Sequence, residues 1–174
     1  NSKMFNQEIK LPKDRIAVLI GKKGETKYKI SKLTHTKIKV NSKEGDIIIN
    51  GNNGLDVYLA KKIIIAVGRG FNPEIALTLL EEDKDIEIIN ILNFSRKTKN
   101  DIKRVKARLI GREGIARKLM EQIANVEISI YGKTVSIIGN QFNLNIARHA
   151  VINLLHGSKH GKVYSYLEKQ RKKN

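Results

Sequence analysis

The chain has 174 residues, of which 40% are hydrophobic and only two are proline, so it can fold around a core and is not disordered throughout. Lys and Arg number 34 against 17 Asp and Glu, and the formal net charge of +17 indicates a polyanionic partner. Cysteine is absent, which excludes disulfides and thiolate metal sites, and no apolar run reaches the roughly 18 residues of a membrane span. We therefore expect a cytoplasmic protein with no membrane partner.

Hydrophobic periodicity and turn residues in the first half predict the order strand, helix, helix, strand, strand, helix. These elements are expected at residues 8–11, 12–20, 26–33, 36–40, 46–50 and 55–67. Pro12 stands where helices commonly begin, and Gly21 and Gly24 separate the first two helices. An apolar face in the following segment predicts a bridging helix over Pro73 to Glu82.

The second half predicts the same order of elements, followed by a helix that frays into a basic tail over 162–173. The six elements are expected at residues 86–92, 101–110, 115–124, 126–130, 134–138 and 144–155. An internal repeat explains this recurrence: residues 20–24 read IGKKG and residues 110–114 read IGREG, at an offset of 90. The offset shortens to 87 at Gly70 and Gly157, which indicates a shorter hairpin in the second copy.

Each glycine pair lies between two predicted helices, where the missing Cβ atoms let the backbone approach a sugar–phosphate chain closely. The free amides and the positive dipole end of the second helix would face the phosphates. Polar atoms of the neighbouring strand edge would read the bases. The pattern predicts single-stranded RNA binding.

This order of elements with an Ile-Gly-x-x-Gly turn resembles the KH domain of the eukaryotic, type I topology, twice over nearly the whole chain. The resemblance implies an α+β fold with a three-stranded antiparallel sheet and helices on one face in each domain. The domains are expected at residues 4–71 and 85–158, with the bridging helix at 72–84 and a basic C-terminal extension at 159–174. In KH domains the GXXG loop clamps about four nucleotides.

The residues expected to bind RNA are the two loops, the residues beside them and the facing strands. In the first copy they are Ile20, Gly21, Lys22, Lys23, Gly24, Lys27, Ile38 and Lys39, and in the second Arg108, Ile110, Gly111, Arg112, Glu113, Gly114, Arg117, Lys118 and Ile128. Lys27 and Arg117 occupy a position that is commonly aliphatic in KH domains, and Glu113 places an anion in the second loop. Because residues 85–174 carry a net charge of +11 against +6 for residues 1–84, we expect the second copy to dominate RNA affinity.

A closer resemblance, to the archaeal branch of the partner-of-Nob (Pno/Dim) family of ribosome-biogenesis proteins, rests on further features. They are the tandem type I units, the helix between them, the Gly-Arg-Glu-Gly loop, residues 131–135 (YGKTV) and the basic tail. The resemblance implies binding near the 3′ end of small-subunit ribosomal RNA, together with the endonuclease that trims it. It also implies contact with the alpha subunit of archaeal initiation factor two.

An adaptor and an enzyme are the alternative functions. The closer alternative is an adaptor in which one KH unit binds protein rather than RNA, since Glu113 lowers the local potential for phosphate and Lys27 replaces a commonly aliphatic groove residue. Catalysis is not expected: the chain has no phosphate-binding G-x-x-x-x-G-K-[ST] motif, and the acidic residues at 81–85 look solvated. No cofactor or metal is expected, because His156 and His160 lie in a glycine-interrupted segment that does not favour a regular helix.

Overall fold

The computed structural model describes residues 4–173 and divides into two compact units between Glu82 and Asp83. Each unit is α+β and contains a three-stranded antiparallel sheet, which confirms the predicted fold class. Within this described part of the chain, no helix is both long and apolar enough to cross a membrane.

The first unit follows the predicted order. Its elements are β1 (Phe5–Lys10), α1 (Lys13–Ile20), α2 (Glu25–Thr34), β2 (Lys37–Asn41), β3 (Asp46–Gly51) and α3 (Gly54–Gly68). The strand order in the sheet is β1-β3-β2, so β3 is central and β2 is an outer strand. Side chains of β3 alternate as a half-buried strand requires: Ile47 and Ile49 are fully buried against the helices, whereas Ile48 points away and is 40% exposed.

The segment predicted as one bridging helix is shorter and irregular. It consists of α4 (Pro73–Ala76) followed by a 3₁₀ turn over Leu77–Leu80, and both pack against α3. The Asn72 side chain accepts a hydrogen bond from the Glu74 amide at 2.9 Å and caps the start. The backbone turns extended at Glu81, so the helix ends before the predicted limit of Glu82.

The second unit repeats the order and adds one helix. Its elements are β4 (Lys84–Asn90), α5 (Lys99–Ile110), α6 (Ile115–Ala124), β5 (Glu127–Tyr131), β6 (Thr134–Asn140), α7 (Gln141–Leu155) and α8 (His160–Lys172). The strand order is β4-β6-β5. Helix α8 is not a frayed tail as predicted, because Val163 and Leu167 are buried in the core of the second unit and the helix packs on α6 and α7.

An insertion distinguishes the second unit from the first. The two copies match at an offset of 80 residues along β1 and β4 but of 90 along α1 and α5, so ten residues are added between them. They form a 3₁₀ turn over Ile91–Phe94, a loop and the first turn of α5. Asp101 anchors this insertion, because its carboxylate accepts hydrogen bonds from the Arg96 amide and from the Arg104 side chain. These hydrogen bonds lower the pKa of Asp101, and the one from the Arg96 amide is the largest cause.

Candidate nucleic-acid interface

The two glycine loops adopt the same backbone conformation. The first glycines have nearly equal dihedral angles, φ 71° and ψ 178° at Gly21 against φ 75° and ψ 172° at Gly111. The third residues, Lys23 and Glu113, both lie in the left-handed region at φ 54° and 55°, which is uncommon for a residue with a side chain. The last glycine of each loop has φ 76°. The internal repeat in the sequence is therefore a repeat of this loop geometry.

The two glycines of each loop are required for different reasons. A Cβ atom on Gly111 would lie 2.5 Å from the Cβ of Ala116 and 2.7 Å from its backbone nitrogen, and one on Gly21 would collide with Thr26. The first glycine thus lets the loop fold against the second helix. A Cβ atom on Gly24 would meet nothing within 4 Å, and one on Gly114 only the end of the Lys118 side chain. The second glycine leaves one side of the loop open to a ligand.

Uncapped amides and exposed cations meet at these loops. Neither α2 nor α6 has a side-chain cap. The first amide of each helix, at Glu25 and Ile115, donates to a loop carbonyl, and no capping side chain competes with an anion for the amides that follow. Lys22, Lys23 and Arg112 are exposed beside them, as is the Glu113 carboxylate in the second loop. This arrangement suits a phosphate group, which accepts amide hydrogen bonds and is attracted to the dipole end of the helix.

A groove of about 510 Å³ leads from the second loop along α5 to the β5–β6 turn. Its floor is apolar and its rim is basic. The lining residues are Lys99, Ile102, Lys103, Lys106, Ala107, Ile110, Gly132 and Lys133. Of these only Ile110 was predicted as a site residue. The spacing of Lys99, Lys103, Lys106 and Ile110 places them on one face of a helix, and that signal could have identified the α5 residues.

The two predicted site residues on the outer strands, Ile38 of β2 and Ile128 of β5, have buried side chains. Ile38 is 7% exposed and Ile128 4%, and both side chains pack in the cores. These side chains are therefore closed to a ligand, and the predicted RNA contact at Ile38 and Ile128 stays a prediction that concerns their main chain. Lys39, between the buried Ile38 and the half-buried Val40 of β2, is exposed as expected for a residue on the opposite face.

In the second unit the Glu121 carboxylate lies at the outer edge of β5. One oxygen of Glu121 (α6) accepts a hydrogen bond from the Ile128 amide at 2.8 Å, and the other accepts one from Arg117 at 2.9 Å. Burial raises the pKa of the Glu121 carboxyl, while the Ile128 amide and the Arg117 guanidinium oppose that shift. Arg117, a predicted RNA-binding residue, is thus engaged by Glu121, although a third of its side chain stays exposed.

Arg108, also predicted to bind RNA, instead ties α5 to the end of α7. Its guanidinium donates to the carbonyl oxygens of Ser158 at 2.7 Å and Leu154 at 3.4 Å. The first unit has an equivalent tie, from Arg15 to the carbonyl oxygens of Val67 and Phe71 at 2.8 and 3.0 Å. These four carbonyl groups correspond at the offset of 87 residues, so we assign Arg108 a structural role in place of the predicted contact.

Arg108→Ala should destabilise the protein by about 1.5 to 3 kcal/mol, the usual contribution of hydrogen bonds to a charged group that is partly buried. Urea unfolding followed by circular dichroism measures this loss. Arg104→Ala is the matched control on the same helix, since its side chain is 63% exposed and pairs only with Asp101, and it should cost under about 1 kcal/mol. A stable Arg108→Ala protein with weakened RNA binding would contradict the structural assignment.

The other predicted residues and the aromatic side chains divide between surface and core. Ile110 is 36% exposed beside its loop, and Lys118 is exposed on α6. Tyr28, which is not among the predicted site residues, is 65% exposed on α2 next to the predicted Lys27. Tyr164 and Tyr166 are half-buried against the core of the second unit, and burial raises the pKa of both phenols.

The two histidines that lie four residues apart, His156 and His160, each contact another group of the second unit. The His156 ring packs edge-on against Phe94 with centroids 5.1 Å apart, and His160 Nε2 lies 2.8 Å from the Arg108 carbonyl oxygen. Across residues 4–173, the structure shows no group of three or more His, Asp or Glu side chains that could hold a metal ion.

Comparison with protein-family models identifies both units. Residues 6–66 match the KH domain model, and residues 85–172 match the model of the second KH domain of PNO1 proteins, described as "Eukaryotic type KH-domain (KH-domain type I)". The second match extends through α8, so the added helix belongs to the pattern of that family.

Individual relatives cover both units together. A KH domain-containing protein of Methanocaldococcus jannaschii is 41% identical over 95% of this chain and 74% of its own length. The pre-rRNA-processing protein PNO1 of Candida albicans is 28% identical over 93% of this chain, which spans 63% of that protein. Among solved structures, a chain in the crystal structure of the a/eIF2alpha–aDim2p–rRNA complex from Pyrococcus horikoshii superimposes with a TM-score of 0.92 at 44% identity, covering 98% of this chain and 96% of that one. The chain belongs to the PNO1/Dim2 family of tandem type I KH-domain proteins.

Proposed function

We propose that this protein binds single-stranded RNA through both GXXG loops. The observation that carries the proposal is the matching backbone of the two loops, each with an open glycine and a helix whose first amides have no side-chain cap. The basic rim of the groove beside the second loop and the net charge of +17 supply the attraction for phosphate. In KH domains one loop holds about four nucleotides, so two give a footprint of about eight.

We further propose a role in maturation of small-subunit ribosomal RNA, near its 3′ end. The relatives support this: one is named a pre-rRNA-processing protein, and the structural neighbour is part of a complex with rRNA and a/eIF2alpha. The alpha subunit of an initiation factor and an rRNA-trimming endonuclease are the proposed protein partners. The protein would hold the RNA for such a nuclease without cleaving it.

Crosslinking the protein to RNA in cell extract and sequencing the bound fragments tests this role. We expect protected fragments to concentrate near the small-subunit 3′ end. Fragments spread evenly over the transcriptome would support RNA binding but contradict the ribosomal role. Purified protein incubated with RNA and magnesium should leave the RNA intact, and cleavage that alanine at Glu82 and Asp83 abolishes would overturn the non-enzymatic assignment.

An adaptor role for one unit is the alternative. The Glu113 carboxylate in the second loop and the presence of a/eIF2alpha in the neighbour's complex favour it. Glu113→Lys distinguishes RNA binding from the adaptor role, because it places a lysine in the second loop where the first loop has Lys23. It should strengthen RNA binding if the second loop holds phosphate, whereas weaker binding to the initiation factor with unchanged RNA affinity would support the adaptor.

A further inference from the structure

The outer strands β2 and β5 each present one free backbone edge. In an antiparallel pair, residues alternate between those that bond the neighbouring strand and those whose amide and carbonyl point away from it. Ile128 is of the second kind, because its amide donates to Glu121 rather than to β6. Ile38 pairs with Ile49 as Ile128 pairs with Ile137, so it has the same orientation in the first unit.

The two copies differ at this edge. At the repeat offset of 90, the first-copy counterpart of Glu121 is Ser31, whose hydroxyl donates to the carbonyl oxygen of Thr36 and not to the strand edge. Among the described residues no side chain bonds the Ile38 amide, so the first edge offers a donor and an acceptor together. In the second unit the Ile128 amide is already used, so beside this residue the edge offers the Glu121 carboxylate and the Ile128 carbonyl, which only accept.

The Watson–Crick edges of the bases match these two patterns differently. Adenine and cytosine each place an amino donor beside a ring-nitrogen acceptor, which complements a free amide and carbonyl. Guanine alone places two donors side by side, N1–H and the 2-amino group, and a carboxylate complements them as a bidentate acceptor. Uracil flanks one donor with two acceptors, which a carboxylate repels.

We propose that Glu121 makes the second unit select guanine at the nucleotide that lies against the start of β5, a preference that the first unit, with Ser31 at the equivalent position, does not share. The inference rests on the proposed RNA binding and adds the base preference of the second groove.

The carboxylate has the capacity for this contact. Each oxygen of Glu121 has two lone-pair sites, and the Ile128 amide and Arg117 occupy one on each. The side chain is 17% exposed, so one side of it remains accessible. Arg117 and Ile128 hold the carboxylate in place before RNA arrives, and a preorganised acceptor loses little freedom on binding.

The test is selection of short RNAs from a randomised single-stranded pool by the full-length protein, with the input and bound pools sequenced. The wild type should enrich guanine at one position by about tenfold or more, the discrimination of a good bidentate contact. Glu121→Gln keeps the shape and an oxygen for the Ile128 amide but turns a donor group toward the base. It should abolish the guanine preference while RNA is still retained.

Two variants complete the design. Glu168→Gln removes an exposed carboxylate of α8 with the same change in net charge, and the guanine preference should persist. Ser31→Glu places a carboxylate at the equivalent position of the first unit, four residues after Lys27, and should convert its preference toward guanine. Retained RNA with an unchanged base profile in Glu121→Gln would overturn the inference and leave RNA binding standing. A wild type that retains no RNA would overturn both.

Discussion

Reversing the charges of the second loop should weaken RNA binding more than reversing those of the first. Arg112→Asp with Lys118→Asp should lower affinity for single-stranded RNA about 100-fold, and Lys22→Asp with Lys23→Asp about tenfold, because contact between unit charges contributes about 1 kcal/mol even in water. The four residues are all exposed, and each variant reverses two charges. The second half carries the larger net charge, and four lysines border its groove.

Fluorescence anisotropy with a labelled RNA over a series of salt concentrations measures both effects. Each lost phosphate contact should also reduce the log–log slope of affinity against salt by about 0.7. Lys61→Asp with Lys62→Asp on α3 is the control, since it makes the same change in net charge on a helix outside the loop. Greater damage from the first loop would show that the second unit does not dominate, and equal effects of all three pairs would show that neither loop contacts RNA.

The repeat made most of the fold predictable. Since each copy had to satisfy the same periodicity, turn and glycine signals, the order of six elements could be checked against itself, and the structure confirms it in both units. The loops were predictable for the same reason: a glycine pair in the same context twice is better evidence than one. The ten-residue insertion before α5 was not predicted, because the hydrophobic patterns of a strand and of a helix do not depend on the number of residues between them.

Single side-chain contacts were less predictable, because charge alone does not tell where an arginine points. Arg108 lies just before the second glycine loop in the sequence, yet its guanidinium donates to the carbonyl oxygens of Leu154 at the end of α7 and of Ser158 after it. Arg15 performs the equivalent task from a position one helical turn earlier in its copy, so aligning the repeats could not reveal the pair. Glu121 was missed likewise, since its hydrogen bond to Ile128 depends on the approach of α6 to an outer strand.

The first glycine of each loop should matter far more for stability than the second. Gly111→Ala should lower the free energy of unfolding by roughly 3 kcal/mol or more, since a Cβ atom there meets both the side chain and the backbone of Ala116, which is buried. Its dihedral angles of φ 75° and ψ 172° also lie in a region almost restricted to glycine. Gly114→Ala should cost only about 1 to 2 kcal/mol, the usual cost of a left-handed residue, because the space beside it is open.

Thermal unfolding followed by circular dichroism compares the two variants directly, and at about 2 to 4 °C per kcal/mol for a chain of 174 residues they should differ by a few degrees in Tm. The pair is internally matched, because both variants add one methyl group to the same loop. Equal losses would mean that the loop can shift away from α6 and that the close approach at Gly111 is not required. If the expected order holds, the first glycine is the one that lets the two helices meet, and the second is the one that keeps the outer side of the loop open.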